Sequence, residues 1–441
     1  MFGILAMAIS LSWFTGSFPA RRIGETETDR KTVTVPHRAS GLADGIDHQT
    51  KADRRTLRRM PHNAPMDRHP APAPVSICGL LVAGVTLALV ACTEAPLPTL
   101  SVAEQLGNQP DAGFARADRP RAFVFPGDHG PHPDYRNEWW YFTGNLDAPD
   151  GRRFGFQATF FRIGLEASPP ARSSAWATSQ AWMAHLAVSD AATGNHRGVE
   201  RFARGAAGLA GATAEPLRVW LEDWTLSSDD GGATWRLDAA ADDFRLDLTL
   251  RAERPVVLQG DAGLSRKSTE PGNASYYYSV PRLATRGTVT IDGRGHTVTG
   301  LSWLDREWST SALGADQAGW DWLALQLADG RDLMYYRLRR KDGGVDGTSR
   351  GSLVDDDGRR TDLGADLPLQ PVRWWTAPDG RRFPVEWDLA LPDDPRPLRV
   401  VAAFDDQYMT LAVRYWEGMV DVRDRATGEP LGRGYLEMTG Y

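Results

Sequence analysis

The chain has 441 residues, 24% of them charged, with a formal net charge of −7. That length allows two or three domains, each able to bury its own core. An acidic balance without a basic patch excludes nucleic acid as a partner, while 16 Trp and 11 Tyr suit half-buried pleated surfaces and an apolar ligand site.

Residues 1–65 hold an apolar stretch, 1–18, and then an Arg-rich segment without periodicity. They are expected to be an over-extended, disordered start; the alternative is that 1–18 is an anchor. Residues 66–91 read as a secretory signal, with Arg68 at its charged start, an uncharged run over 77–90 and Leu89-Val-Ala-Cys92 at its end. The run is too short to span a bilayer alone. Leu-Val-Ala-Cys resembles a bacterial lipobox, which implies an acylated Cys92 and a membrane-tethered protein. With Thr93 rather than Asp next, the expected location is the periplasmic face of the outer membrane. Without residues 1–91 the chain keeps 39 basic and 50 acidic side chains, a net charge of −11. Of the two cysteines Cys78 falls in the signal and Cys92 in the lipobox, so the body is expected to hold no disulfide, Cys-based metal site or thiol nucleophile. Residues 92–120 are rich in Pro, Ala and Asp and read as a linker. Within them 101–108 is the one short helical candidate.

The body reads as strands. Residues 137–146 and 154–162 flank the turn cluster Asp147-Ala-Pro-Asp-Gly151 and predict a β-hairpin. In the second run Phe154, Phe156, Ala158 and Phe160 alternate with Gly155, Gln157, Thr159 and Phe161, the period of a strand. Further strands are predicted over 181–190, 218–226, 234–239 and 244–251. A change of character over 255–279 places a boundary there, giving domains 121–265 and 266–441. The second half continues with 286–291, 296–304, 320–327, 333–340, 374–375, 384–391, 398–404, 409–422 and 432–441. Many short strands joined by Asp-Gly and Gly-Arg turns predict barrels or sandwiches.

Several residues carry candidate chemistry. His129 and His132 have metal-ligand spacing beside Asp128 and Asp134, but three Pro in that window favour a structured loop. His185 is the one ionisable group inside a strand that otherwise reads as buried. The densest polar run is Trp303-Leu-Asp-Arg-Glu-Trp-Ser309. In a strand it sets Trp303, Asp305, Glu307 and Ser309 on one face and Leu304, Arg306 and Trp308 on the other. Two carboxylates that close push one pKa upward, as a general acid requires; pairing with Arg at a barrel rim is the alternative. Asp321 and Glu138 are further acids set among Trp residues. Serine-hydrolase, phosphate-loop and dinucleotide motifs are lacking.

Asn137-Glu-Trp-Trp-Tyr-Phe-Thr-Gly-Asn-Leu, Phe154-Gly-Phe-Gln-Ala-Thr-Phe-Phe-Arg, Gln259-Gly-Asp-Ala-Gly-Leu-Ser-Arg-Lys, Ser275-Tyr-Tyr-Tyr-Ser, the Trp303–Ser309 run and Gly434-Tyr-Leu-Glu resemble the AttH-type "predicted secreted hydrolase" family. That family is a distant relative of the carotenoid 1,2-hydratases (hydroxyneurosporene synthases). The resemblance covers 123–441 and implies tandem lipocalin-like (calycin) antiparallel β-barrels that act on long apolar molecules without a metal or organic cofactor. Relatives often carry His where this chain has Arg306, which moves any acid role to Asp305 or Glu307.

The resulting expectation is two closed, aromatic-lined cups holding a hydrophobic isoprenoid- or lipid-like guest. Asp305, Glu307 and His185 are the candidate catalytic residues, for acid-catalysed hydration or cyclisation. Trp140, Gln157, Tyr276, Tyr278, Trp303, Trp308 and Trp322 are expected to line the ligand site. A non-catalytic carrier and an ester hydrolase are the alternatives.

Overall fold

The computed structural model describes residues 113–168, 171–311 and 313–441. The signal, the lipobox with Cys92 and the helical candidate at 101–108 lie outside them. Among the described residues the only helical element is a single 3₁₀ turn, Gly127–His129; everything else is strand and turn. The all-β expectation holds.

The first sheet has thirteen strands. They are β1 (Asn137–Asp147), β2 (Arg153–Gly164), β3 (Gln180–Asp190), β4 (Asn195–Arg204), β5 (Ala210–Ala214), β6 (Leu217–Leu221), β7 (Trp224–Ser228), β8 (Thr234–Ala240), β9 (Phe244–Ala252), β10 (Val257–Leu258), β11 (Leu264–Arg266), β12 (Ala274–Ile291) and β13 (Arg294–Ser311). Their order is β4-β3-β2-β1-β13-β12-β9-β8-β7-β6-β5, with β10 and β11 also paired to β12. The second sheet has ten: β14 (Gln317–Leu327), β15 (Asp332–Arg340), β16 (Arg350–Val354), β17 (Arg360–Leu363), β18 (Leu369–Thr376), β19 (Arg382–Leu389), β20 (Leu398–Ala402), β21 (Tyr408–Thr410), β22 (Arg414–Asp424) and β23 (Pro430–Thr439). Its order, β17-β16-β15-β14-β23-β22-β20-β19-β18 with β21 beside β22, repeats the plan of the first. In both, the opening strand lies between its hairpin partner and the closing strand, so each sheet curls into a near-closed barrel.

The predicted hairpin forms, with Phe142 opposite Ala158 and Asp147 opposite Arg153. Two details correct the sequence reading. The changeover between sheets falls between Ser311 and Gln317, not at 265, because β12 and β13 close the first barrel against β1. The run 218–226 is two strands, since Glu222 takes a positive φ of 56° and turns the chain back. Pro281 interrupts the long strand β12 without breaking it. It sits at a one-residue bulge between Val280 and Leu283, where a missing N–H is tolerated.

Each barrel is filled by its own side chains. Trp140, Phe142, Phe154, Phe156, Phe160, Trp235 and Trp308 belong to the first core, and Leu325, Val385, Trp387, Trp416 and Leu436 to the second. Among the described residues the barrel interiors are therefore packed cores rather than the expected cups. Two further apolar clusters mix residues of both sheets: Tyr141, Tyr277, Trp303, Trp322, Met334, Tyr336 and Tyr435 form one, and Met183, Met409, Val413 and Tyr415 the other. The barrels thus meet through the outer faces of β1–β3, β12 and β13 on one side and β14, β15, β22 and β23 on the other. Near the C-terminal end of β1 the seam is pinned by Asn145 Nδ2 donating to the Gly434 carbonyl (2.9 Å), Arg153 to Asp421 (2.7 Å) and Arg433 to Asp147 (2.6 Å).

Candidate active site between the barrels

A cavity of about 1200 Å³, counting the part open to solvent, lies in this seam. Strand register explains what faces it. Side chains directly opposite one another on neighbouring antiparallel strands share a face. One such row crosses six strands of the first sheet: Ser279, Asp305, Tyr141, Thr159, His185 and Glu200. The row beside it runs Tyr277, Glu307, Trp139, Phe161 and Met183, and the row on the other side runs Trp303, Thr143, Gln157 and Ala187. The second sheet supplies Trp320, Trp322, Tyr336, Leu338, Tyr415, Glu417 and Glu437 as the opposite wall.

Asp305 is buried and receives only neutral donors: Ser279 Oγ at 2.6 Å, Trp303 Nε1 at 2.7 Å and the Tyr277 hydroxyl. Trp322 Nε1 in turn donates to the Tyr277 oxygen at 3.1 Å. Burial raises the Asp305 pKa to about 7, against the opposing pull of these donors. The nearby Glu307 charge is a minor cause, because Lys267 Nζ lies 3.0 Å from Glu307 and the Ser275 hydroxyl also donates to it. Burial rather than a carboxylate pair thus keeps Asp305 protonatable.

Two acids that the sequence reading passed over face Asp305 from the second barrel. Glu417 accepts from the Tyr141 hydroxyl at 2.6 Å; burial and the nearby Glu437 push its pKa well up. Glu437 accepts from Trp320 Nε1 at 2.8 Å and is raised to about 7, again chiefly by burial. Four carboxyls therefore share one cationic side chain, Lys267, among the described lining residues, since Arg162 is engaged by Glu138. The signal was available: Glu437 in Tyr-Leu-Glu-Met is the lone acid of β23, as His185 is the lone base of β3, and Glu417 in Tyr-Trp-Glu-Gly-Met sits in the apolar stretch of β22 ahead of Asp421 and Asp424.

His185 does face the cavity, with Nδ1 2.7 Å from the Tyr415 hydroxyl. Burial lowers its pKa to about 3, so the imidazole is neutral. It stands three strands from Asp305 in the row, roughly 14 Å at the backbone, too far for both to act on one atom. Of the expected lining residues, Gln157 and Trp322 border the cavity and Trp303 stands behind Asp305. Trp140, Tyr276, Tyr278 and Trp308 do not. They point into the first core, because strand alternation gives the cavity face to Trp139, Tyr277 and Glu307 instead.

Arg306 also faces away from the cavity row. Its guanidinium lies 3.8 Å from the Trp140 ring centroid, binds the Gly130 carbonyl at 2.6 Å and pairs with Glu138. The departure from His at this position therefore alters the barrel end and leaves the Asp305 face as it is. Glu138 is also paired with Arg162. Asp321 is held by Arg337 (2.7 Å), Arg339 (3.2 Å) and Tyr441 (2.7 Å). His129 bonds Tyr278 at 2.6 Å, while His132 stacks on Trp308 and reaches Asp128 at 3.0 Å. Among the described residues no group of three potential ligands is gathered for a metal.

Fold and site together define a tandem antiparallel-barrel protein with a polar-floored, aromatic-walled cavity at the barrel seam. The AttH-like family model matches residues 116–441, and the chain belongs to that family. The crystal structure of an AttH-assigned protein from Nitrosomonas europaea is 36% identical, covering 74% of this chain and 100% of that one, with a TM-score of 0.66. Kievitone hydratase from Nectria haematococca is similar in fold at 14% identity and a TM-score of 0.56, covering 76% of this chain and 98% of that one. No curated protein matches the chain.

Proposed function

We propose that the protein is an enzyme that protonates an unsaturated bond of a largely apolar small molecule and adds water or an internal nucleophile. The observation that carries this reading is Asp305. It is a buried carboxyl raised to about 7 without a cationic partner in contact, oriented by Tyr277, Ser279 and Trp303 on the wall of an aromatic cavity. A carboxyl poised near neutrality is suited to general acid work.

In the hydration step the Asp305 O–H proton passes to one alkene carbon and leaves a cation on the other. The faces of Trp139, Trp320 and Trp322 shelter that cation. Water attacks it through oxygen, a C–O bond forms, and the surplus water proton returns to the Asp305 carboxylate. A nucleophile within the same molecule would give cyclisation by the same proton account. A fold relative whose name is hydratase agrees with this chemistry.

Tethering through an acylated Cys92 belongs to the same proposal, placing the cavity beside envelope lipids. Radiolabelled palmitate incorporated by the native chain and lost in Cys92→Ser tests it. For the reaction, purified protein is incubated with a lipid extract of a deletion strain in heavy-oxygen water. A new product carrying the heavy oxygen, absent with Asp305→Asn, is expected. Equal yields with both proteins would remove Asp305 from the mechanism. A carrier role draws on the Lys267–Glu307 ion pair, which locks one of the polar groups on the wall; unchanged recovery of every bound compound would favour it.

A further inference from the structure

The cavity contains a second polar centre, distinct from Asp305, that the reaction above does not use. Gln157 Oε1, His185 Nε2 and Glu417 Oε2 are buried, belong to cavity-lining residues and have no hydrogen-bond partner among the described residues. The Glu200 oxygen nearest His185 Nε2 is 3.8 Å away, beyond hydrogen-bond reach. Burying such atoms unpaired costs free energy, so native structures rarely leave them so.

The residues that carry these atoms are neighbours in the strand register and its cross-seam hydrogen bonds. Thr159 lies opposite Tyr141 on one side and His185 on the other. The Gln157 side-chain amide donates to the Thr159 hydroxyl, Tyr141 reaches across the seam to Glu417, and Tyr415 of the second barrel reaches back to His185. Tyr141 and Tyr415 thereby fix Glu417 and His185 with one polar atom each left over.

We infer that this cluster is a binding subsite for a hydroxyl group, alcohol or phenol, and that the substrate is an elongated apolar molecule with that hydroxyl at the end remote from its reacting bond. The ligand type follows from the chemistry of the cluster. An amide oxygen accepts, an imidazole nitrogen and a carboxyl accept or donate, and a hydroxyl answers both needs at once. A ligand carboxylate would meet Glu417 with no cation on this side, since Lys267 is held by Glu307. The length follows from the row. Glu417, held by Tyr141 one strand from Asp305, marks the near edge of the subsite, while Thr159, which holds Gln157, and His185 are two and three strands from Asp305, about 10–14 Å at the backbone. Trp139 of β1, the strand between Asp305 and Thr159, lines the cavity with an aromatic face, and Phe161, Met183 and Val413 add apolar lining. The inference rests on the Asp305 reading only for which end reacts; the subsite itself stands without it.

The test uses trans,trans-farnesol, a linear alcohol with its hydroxyl remote from its last double bond, against farnesene, the hydrocarbon of the same skeleton. Binding to the full chain is read by quenching of tryptophan fluorescence. The alcohol is expected to bind at least tenfold more tightly. Gln157→Leu and His185→Phe, each checked for folding by circular dichroism, should cut that advantage to threefold or less while hydrocarbon binding stays within twofold. Asp305→Asn should keep the advantage, which separates failure of the subsite from failure of the proton-donor reading. Equal affinity for the two compounds in the native protein, binding of neither, or an advantage that survives in both variants would overturn the inference.

Discussion

Glu138 and Asp305 are both buried acids on neighbouring strands, yet the protein holds them in opposite states. Burial alone would push either carboxyl up. At Glu138 the Arg306 and Arg162 guanidiniums override that push and hold the pKa well below the carboxylate range. At Asp305 the neighbours are two hydroxyls and an indole, and the pKa rises to about 7. Enclosure therefore does not decide the ionisation state; the supply of fixed positive charge does. One cluster stitches the end of a barrel, and the other keeps a proton available to a cavity.

The sharpest way to break this contrast is Asp305→Asn. It should lower turnover by about 10²–10⁴-fold with the circular dichroism spectrum unchanged. Glu138→Gln should do the reverse. It leaves two buried guanidiniums short of charge, at about 3–5 kcal/mol of stability, read as a lower urea midpoint. The two sites should also titrate with opposite sign. Asp305 has a folded pKa above its unfolded value of 3.8, so the folded state holds the extra proton. Stability from this group is full below pH 4 and falls by a few kcal/mol as pH rises to about 7. Glu138 is depressed when folded, so its contribution is present above its ordinary pKa and lost as pH falls. Urea midpoints of Asp305→Asn and the native protein, compared at pH 5 and pH 8, should show the variant gaining relative stability at the higher pH. The smallest effect is expected from Tyr277→Phe, which removes a donor to ionised Asp305. The Asp305 pKa should rise further, by about one unit, and the alkaline limb of the pH–rate profile should move up with it.

Much of this contrast was legible in the residue order. Alternation separated Asp305 and Glu307 from Leu304, Arg306 and Trp308, and singled out His185 on its strand. What alternation does not supply is which face looks inward. The strands at the seam are buried on both sides, so Trp139 and Trp140, or Tyr277 and its neighbours Tyr276 and Tyr278, carry the same signature while serving a cavity and a core. The cavity itself joins Asp305 to Glu417 and Glu437, more than a hundred positions later. Only the packing of one finished barrel against another brings them together.

The placement of the seam has an evolutionary consequence. Both hydrophobic cores are complete without it, so residues such as Gln157, Phe161, Trp322 and Glu437 can be exchanged without emptying either barrel's interior. Divergence in what such proteins recognise can then concentrate where two halves touch, leaving each half's folding code intact.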